Sequence, residues 1–307
     1  MLPVRVLDFD ESLVRQRELI KRFTPVVTDL HAFAPHCRHW MDKGTACKLK
    51  AVLGPGIKNQ ITFLGSGDFH HITSLLLEQF SEPVTLVAFD HHPDWDIMPP
   101  RYCCGSWVTQ ALKLPNLKKA VLLGIASKDI STFGIQTGNL AALRNNRVEI
   151  YPYKHAPTKV ILRKVPDNVA IDLKRGIFVT KITWRELAGC SLVDFFSQLM
   201  PRIPTKNIYI TVDKDCLSAE SALTNWEEGC FKLDELLLLL KMFKDKFSLI
   251  GADITGEYSP LGTIHGKLKS ILTRLDHPHD FSASTHTQEE IDSINERTNL
   301  KILEVLA

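Results

Sequence analysis

Short apolar runs recur along the chain, with segments of helical periodicity between them. Runs at Val4 to Phe9, Ile61 to Leu64, Val84 to Phe89, Ala120 to Gly124, Val148 to Tyr151, Ile177 to Thr180, Ile208 to Val212 and Leu249 to Ile254 read as strands. Their near-continuous hydrophobicity is that of strands covered on both faces. Between them, apolar positions three and four apart predict helices at Glu11 to Phe23, Thr73 to Phe80, Leu140 to Asn145, Ser191 to Met200, Leu233 to Phe243, Ile264 to Leu275 and Gln288 to Asn295. The alternation predicts an α/β fold, a three-layer α/β/α sandwich around a mostly parallel sheet of roughly eight strands. The rhythm breaks over His155 to Arg175, where Val160-Ile161-Leu162 and Val169-Ala170-Ile171 sit among charged residues and prolines. That stretch reads as a hairpin or loop insertion around 155–175, and residues 1–307 otherwise read as a single domain without internal repeats.

Composition narrows the class. A content of 44% hydrophobic and 23% charged residues is ordinary for a globular chain of 307 residues, enough to bury a substantial core. The net charge of +2 comes from dispersed charges without a basic block, which argues against a nucleic-acid partner. No stretch approaches the roughly 20 apolar residues of a membrane span, and the leucine run Leu236 to Leu240 belongs to a core helix. The amino-terminal residues lack the apolar segment of a secretory signal, and seven scattered cysteines form no disulfide framework. A cytoplasmic protein is the expectation. Adjacent Cys103 and Cys104 read as small packing residues near the site, and His31, His36, Cys37 and His39 fit no tetrahedral spacing, so surface or packing roles are expected of those four.

The chemistry is concentrated at strand ends. Val87-Ala88-Phe89 runs into Asp90-His91-His92-Pro93-Asp94-Trp95-Asp96, and Asp90, His92 and Asp94 alternate with the two-residue period of extended chain. The strand Ile208 to Val212 ends in Asp213-Lys214-Asp215, again two carboxylates two apart. A third strand, Ile61 to Leu64, leads through Gly65-Ser66-Gly67-Asp68-Phe69 to His70-His71. A lone strand-end aspartate most often caps a helix or satisfies a turn. Three such motifs at the carboxyl ends of parallel strands, where ligands collect, instead predict a two-metal centre.

In this order the three motifs resemble the ureohydrolase superfamily of arginases and agmatinases, whose fold the histone deacetylases and acetylpolyamine amidohydrolases share; the match runs from Ile61 to Pro260. The resemblance implies an arginase- and deacetylase-like sheet and a paired manganese site. Its metal ligands would be His70, Asp90, His92, Asp94, Asp213 and Asp215, with His71 competing with His70 for the turn-histidine role. Hard divalent ions favour carboxylate oxygen with some imidazole, and two of them roughly 3.5–4 Å apart share a water and lower its pKa. The resemblance implies hydrolysis of a linear C–N bond in a small guanidino or amidine compound. His71 is the first candidate for the acid that protonates the departing amine, with Asp215 as the alternative. The paired histidines would also suit deacylation of an amine, and a non-catalytic metal-binding relative is the third expectation. Gly251-Ala252-Asp253-Ile254-Thr255-Gly256-Glu257-Tyr258-Ser259-Pro260 is similar to the family's Asp-Ile-x-Glu-x-x-Pro strand with one residue inserted. Glu257 would then hold the substrate's cation, or else be a buried or capping carboxylate. Asp96 matches a substrate-contacting position, or else is a solvent-facing loop acid. The family's tendency to assemble makes a homo-oligomer an expectation.

The departures fall outside the ligand set. Where arginases carry a histidine followed by glycine, this chain has Cys103-Cys104-Gly105. Cys216-Leu217-Ser218-Ala219 replaces a third aspartate and a proline, and Ala126 stands near the place of a common arginine. Trp95, Trp107 and Trp226 are expected around the site mouth, and Asp276-His277-Pro278-His279-Asp280 reads as a solvated connection between helices.

Overall fold

The structure, a computed structural model, describes residues 2–54, 58–98, 100, 102–277 and 286–307. Eight strands form the central sheet: β1 (Val4–Asp8), β2 (Val26–Asp29), β3 (Ile61–Ser66), β4 (Val84–Phe89), β5 (Leu117–Leu123), β6 (Val148–Tyr151), β7 (Asn207–Asp213) and β8 (Ser248–Glu257). Their order is β2-β1-β3-β8-β7-β4-β5-β6, with every neighbouring pair parallel. All carboxyl ends therefore share one edge. The order reverses between β4, β7 and β8, so the ends of β3, β8, β7 and β4 flank the crevice where open parallel sheets bind ligands.

Side-chain alternation splits the core into two layers. Val87, Phe89, Val121, Leu123, Ile208, Ile210 and Val212 pack on one face, against Phe196, Leu199, Leu236, Leu240, Phe243 and Ile302 of covering helices. Leu86, Ala88, Ala120, Leu122 and Tyr209 pack on the other, against Leu49, Leu75, Leu76, Trp107 and Val108. Each fully buried aliphatic or aromatic side chain contributes roughly 1.5–3 kcal/mol relative to exposure, so β4 and β7, buried over almost their whole length, anchor the motifs at their ends.

Two strand assignments differ from the sequence expectation. Ile177 and Phe178 are 92% and 67% exposed, outside the central sheet. The strand that follows, Val179–Trp184, lies in a separate antiparallel sheet between Ile171–Arg175 and Thr158–Ile161, so the irregular region is three-stranded and extends beyond residue 175. The remaining parallel strand is β2, a four-residue edge strand whose Val26 is 68% exposed. Among the helices, Arg17–Phe23 is shorter than predicted and Gln288–Leu306 longer. Among the described residues, no helix is long and apolar enough to cross a membrane.

Candidate metal centre

The turn after β3 is a 3-10 helix, Gly67–Ile72, and it carries His70 over the ends of β4 and β7. His70 Nδ1 lies 3.2 Å from Asp90 Oδ2, 3.3 Å from Asp94 Oδ2 and 3.4 Å from Asp213 Oδ2. His92 Nδ1 lies 2.9 Å from Asp215 Oδ2 and 3.9 Å from Asp90 Oδ1. Two ligand groups result, His70-Asp90-Asp94 and Asp90-His92-Asp215, with Asp90 common to both. The six candidate ligands thus converge on one place.

Neighbouring groups fix their orientation. Asp94 has a left-handed backbone (φ 47°), its carbonyl accepts from Val108 N at 2.9 Å, and Trp107 Nε1 donates to its Oδ2 at 2.6 Å. Asp213 accepts from the Asp215 amide, and Asp215 from the His91 amide, each at 3.1 Å. His70 Nε2 sits 2.8 Å from Thr211 Oγ1, and the Thr211 hydroxyl donates to Asp253, which also accepts from Tyr209 at 2.7 Å. Such a chain behind a ligating histidine fixes its ring and tautomer.

The electrostatics call for cations. Burial raises the Asp90 carboxyl well above its ordinary range, and Asp94 and Asp215 add to the rise. Burial and the adjacent Asp215 push Asp213 up to about 8. Burial opposes the charge on His70, yet the surrounding carboxylates raise its pKa well above the ordinary value. His70 Nδ1 is buried and hydrogen-bonded to none of the three carboxylates around it. A buried imidazole nitrogen without a hydrogen bond, facing clustered carboxylates, fits a hard divalent ion, and the shared Asp90 fits a pair of them.

His71 stands apart. Successive residues of a 3-10 turn point about 120° apart, so with His70 turned to the carboxylates, His71 is buried outside the cavity, and neither of its ring nitrogens is hydrogen-bonded. Burial, reinforced by Lys269, lowers its pKa to about 3 and keeps the ring neutral, a poor state for an acid.

The structure does not bring Glu257 to the cavity either. The inserted Gly256 (φ 84°) shifts the register between β8 and β3, and a Cβ there would collide with Asp213. Glycine thus occupies the position facing the centre and Glu257 turns inward. There it pairs with buried Lys214 and accepts from Gln16 at 2.9 Å and Asn299 at 2.7 Å.

A cavity of about 400 Å³ opens over the centre, with Asp96, Asp129 and Glu227 on its walls beside the ligand carboxylates. Asp96 is half-buried, which raises its pKa to about 6, and Thr137 Oγ1 donates to it at 3.0 Å. Glu227 Oε2 lies 3.2 Å from His92 Nε2, an interaction that draws its carboxyl down to about 2. Trp226 lines the cavity, whereas Trp95 and Trp107 are fully buried. Cys103 and Cys104 also line it, near the site as expected, and so does His39, in place of the surface or packing role expected for it. No strand-end pattern marks Glu227 and His39, which come from loops, or Asp129, which comes from the short 3-10 turn Lys128–Ile130. His277 is buried, its Nε2 2.8 Å from Asp68 Oδ1, rather than solvated; residues 278–280 of that segment lie outside the described residues. A larger cavity of about 980 Å³ lies at the opposite edge of the sheet among Lys118, Lys119, Arg144, Arg147 and Arg202, remote from the carboxylates.

No family model matches the sequence. An uncharacterized protein of Thermotoga maritima is 27% identical over 202 residues, 66% of this chain and 59% of that protein, so the chain spans under two thirds of this curated relative. The formimidoylglutamase of Bacillus subtilis superposes with a TM-score of 0.59 at 13% identity, covering 100% of this chain and 87% of that one. The arginase of the same bacterium gives a TM-score of 0.57 at 12% identity, covering 100% and 97%. The protein has the arginase/ureohydrolase-superfamily fold.

Proposed function

We propose that this protein hydrolyses a linear C–N bond in a small cationic compound of the guanidino or amidine class, with two divalent ions, manganese foremost, as its cofactors. The observation that carries the reading is the pair of ligand groups sharing Asp90 beneath an acidic cavity. His70, Asp90, Asp94 and Asp213 would hold one ion, and Asp90, His92, Asp213 and Asp215 the other. Such a pair supplies Lewis acidity and a water acidified toward neutrality. The chain's own residues contribute recognition: Asp96, Asp129 and Glu227 surround the cavity with negative charge, and Trp226 adds an aromatic side chain to its wall. Thr211 and Asp253 hold the His70 ring in place from behind. Deacylation by a paired histidine is less well supported, because His71 does not line the cavity.

The test is a panel of guanidino, amidino and acylated amines given to the manganese-loaded protein. Release of urea, ammonia or formamide from a guanidino or amidino substrate is expected. Acetate release alone, or no turnover at full metal occupancy, would overturn the proposal.

A further inference from the structure

We propose that His39, Cys103 and Cys104 form a second metal site on the cavity wall, one that takes a soft or borderline divalent ion of the zinc and cadmium class. One ligand atom from each residue lies within 4.8 Å of the other two. In a tetrahedron with metal–sulfur bonds of about 2.3 Å, ligands stand just under about 4 Å apart, so a contraction of about 1 Å closes the set.

The fold holds these residues together by backbone bonds. Trp40–Met41 pairs antiparallel with Tyr102–Cys103, Trp40 lying opposite Cys103. The Cys104 amide donates to the His39 carbonyl at 3.0 Å, and His39 itself has a left-handed backbone (φ 68°). Consecutive thiols on a strand would point to opposite faces. Here the strand ends at Cys103 and a 3-10 turn begins at Cys104, which lets both sulfurs face the same side. Thr273 Oγ1, 3.1 Å from His39 Nδ1, steadies the imidazole from outside the cluster.

The donor set differs in kind from the carboxylate centre. Two thiolates and a neutral imidazole suit a soft ion, whereas Asp90, Asp94, Asp213 and Asp215 suit a hard one. Binding would take both sulfurs as thiolates, displacing to solvent whatever proton the pair still shares, and two thiolates would neutralise the divalent ion. All three residues line the cavity, so a fourth ligand enters from the solvent side. The other cysteines lack this grouping: among the described residues, the remaining ligand clusters contain only histidine and aspartate. The site stands independently of the hydrolase reading, because it uses none of the residues assigned to the carboxylate centre.

Cadmium titration of the manganese-loaded protein tests it. The background is Cys47→Ser/Cys190→Ser/Cys230→Ser, which removes the exposed thiols, and a phosphine reductant keeps the rest reduced. Thiolate-to-cadmium charge-transfer absorption is expected to saturate at one ion per chain. It should fall to about half in Cys103→Ser and vanish in Cys103→Ser/Cys104→Ser. In His39→Gln the cadmium affinity should fall at least about tenfold, and manganese content should hold in all variants. Cys103 is only half-buried, so its single serine variant keeps the test decisive if the double variant misfolds. Absence of the band at stoichiometric cadmium, or a full band in Cys103→Ser, overturns the site.

Discussion

His70 Nε2 lies 2.8 Å from the Thr211 hydroxyl, and that hydroxyl donates to Asp253, so the ring behind the carboxylate cluster is tied to two adjacent strands of the sheet. Both supporting residues are fully buried, and neither lines the cavity over the centre. Partners of this kind act through the ligand they orient. Thr211→Val should therefore weaken divalent-ion binding by roughly 10- to 100-fold, with turnover recovering at saturating metal. Manganese titration by calorimetry checks it; unchanged affinity would mean that the hydroxyl only fills space.

The pH dependence of the metal-free protein follows from the crowded carboxyls. Asp213, at about 8 in the fold against 3.8 as the ordinary value, binds a proton that the unfolded chain releases. Its contribution to stability is full below about pH 4 and disappears as pH rises through about 8. Asp90 is raised as well and acts in the same direction, and the raised His70 and His92 join it as pH passes their ordinary value of 6.5; His71, lowered to about 3, acts oppositely only up to about 6.5. In a chelator the melting temperature should fall from about pH 6.5 to 8, where all four raised groups act together. Divalent ions compete with those protons, so the rise in melting temperature on adding manganese should grow over the same window. A chelated protein that gains stability with rising pH would contradict this.

How much of this could be read beforehand follows from where each residue sits. The strands β3, β4 and β7, buried over all or nearly all their length, carry apolar runs, and the ligand candidates stand at or just after the points where those runs stop, so both were visible in the sequence. Strand β2 was hidden because an edge strand with solvent-facing valines leaves little apolar signature, while Ile177 and Phe178 misled because they are apolar yet exposed. The extra residue before Glu257 was evident, but which way a bulge turns the next side chain depends on Asp213 and Lys214 across the strand. His39 and Glu227 reach the cavity from loops and Asp129 from a short 3-10 turn, whose paths no periodicity encodes.

Glu257 serves stability in this structure. Its carboxylate holds buried Lys214 and accepts from Gln16 and Asn299. Removing one member of a buried ion pair costs about 3–5 kcal/mol, because the other charge is left uncompensated. Glu257→Gln should lower the unfolding free energy by an amount of that order, measured in urea, while metal content and the Michaelis constant stay as in the wild type. Lys214→Met/Glu257→Gln, which removes both charges, should recover much of the loss. A raised Michaelis constant at unchanged stability would return Glu257 to substrate binding.

Asp96 is the carboxylate through which cation recognition can be tested apart from the metals. It lines the cavity, outside both ligand groups, and burial raises its pKa to about 6. Above that pH it is charged and attracts a cation; as pH falls through about 6 it gains a proton and the attraction goes. For a cationic substrate the Michaelis constant should therefore rise below about pH 6 at saturating manganese. Asp96→Asn should raise it on the order of tenfold at pH 7.5, the scale of one charge-assisted hydrogen bond, and flatten the limb near pH 6. A neutral isostere of the same substrate should show neither effect. A limb that persists in Asp96→Asn would assign the titration to the metal centre, and an unchanged Michaelis constant for the cation would remove Asp96 from recognition.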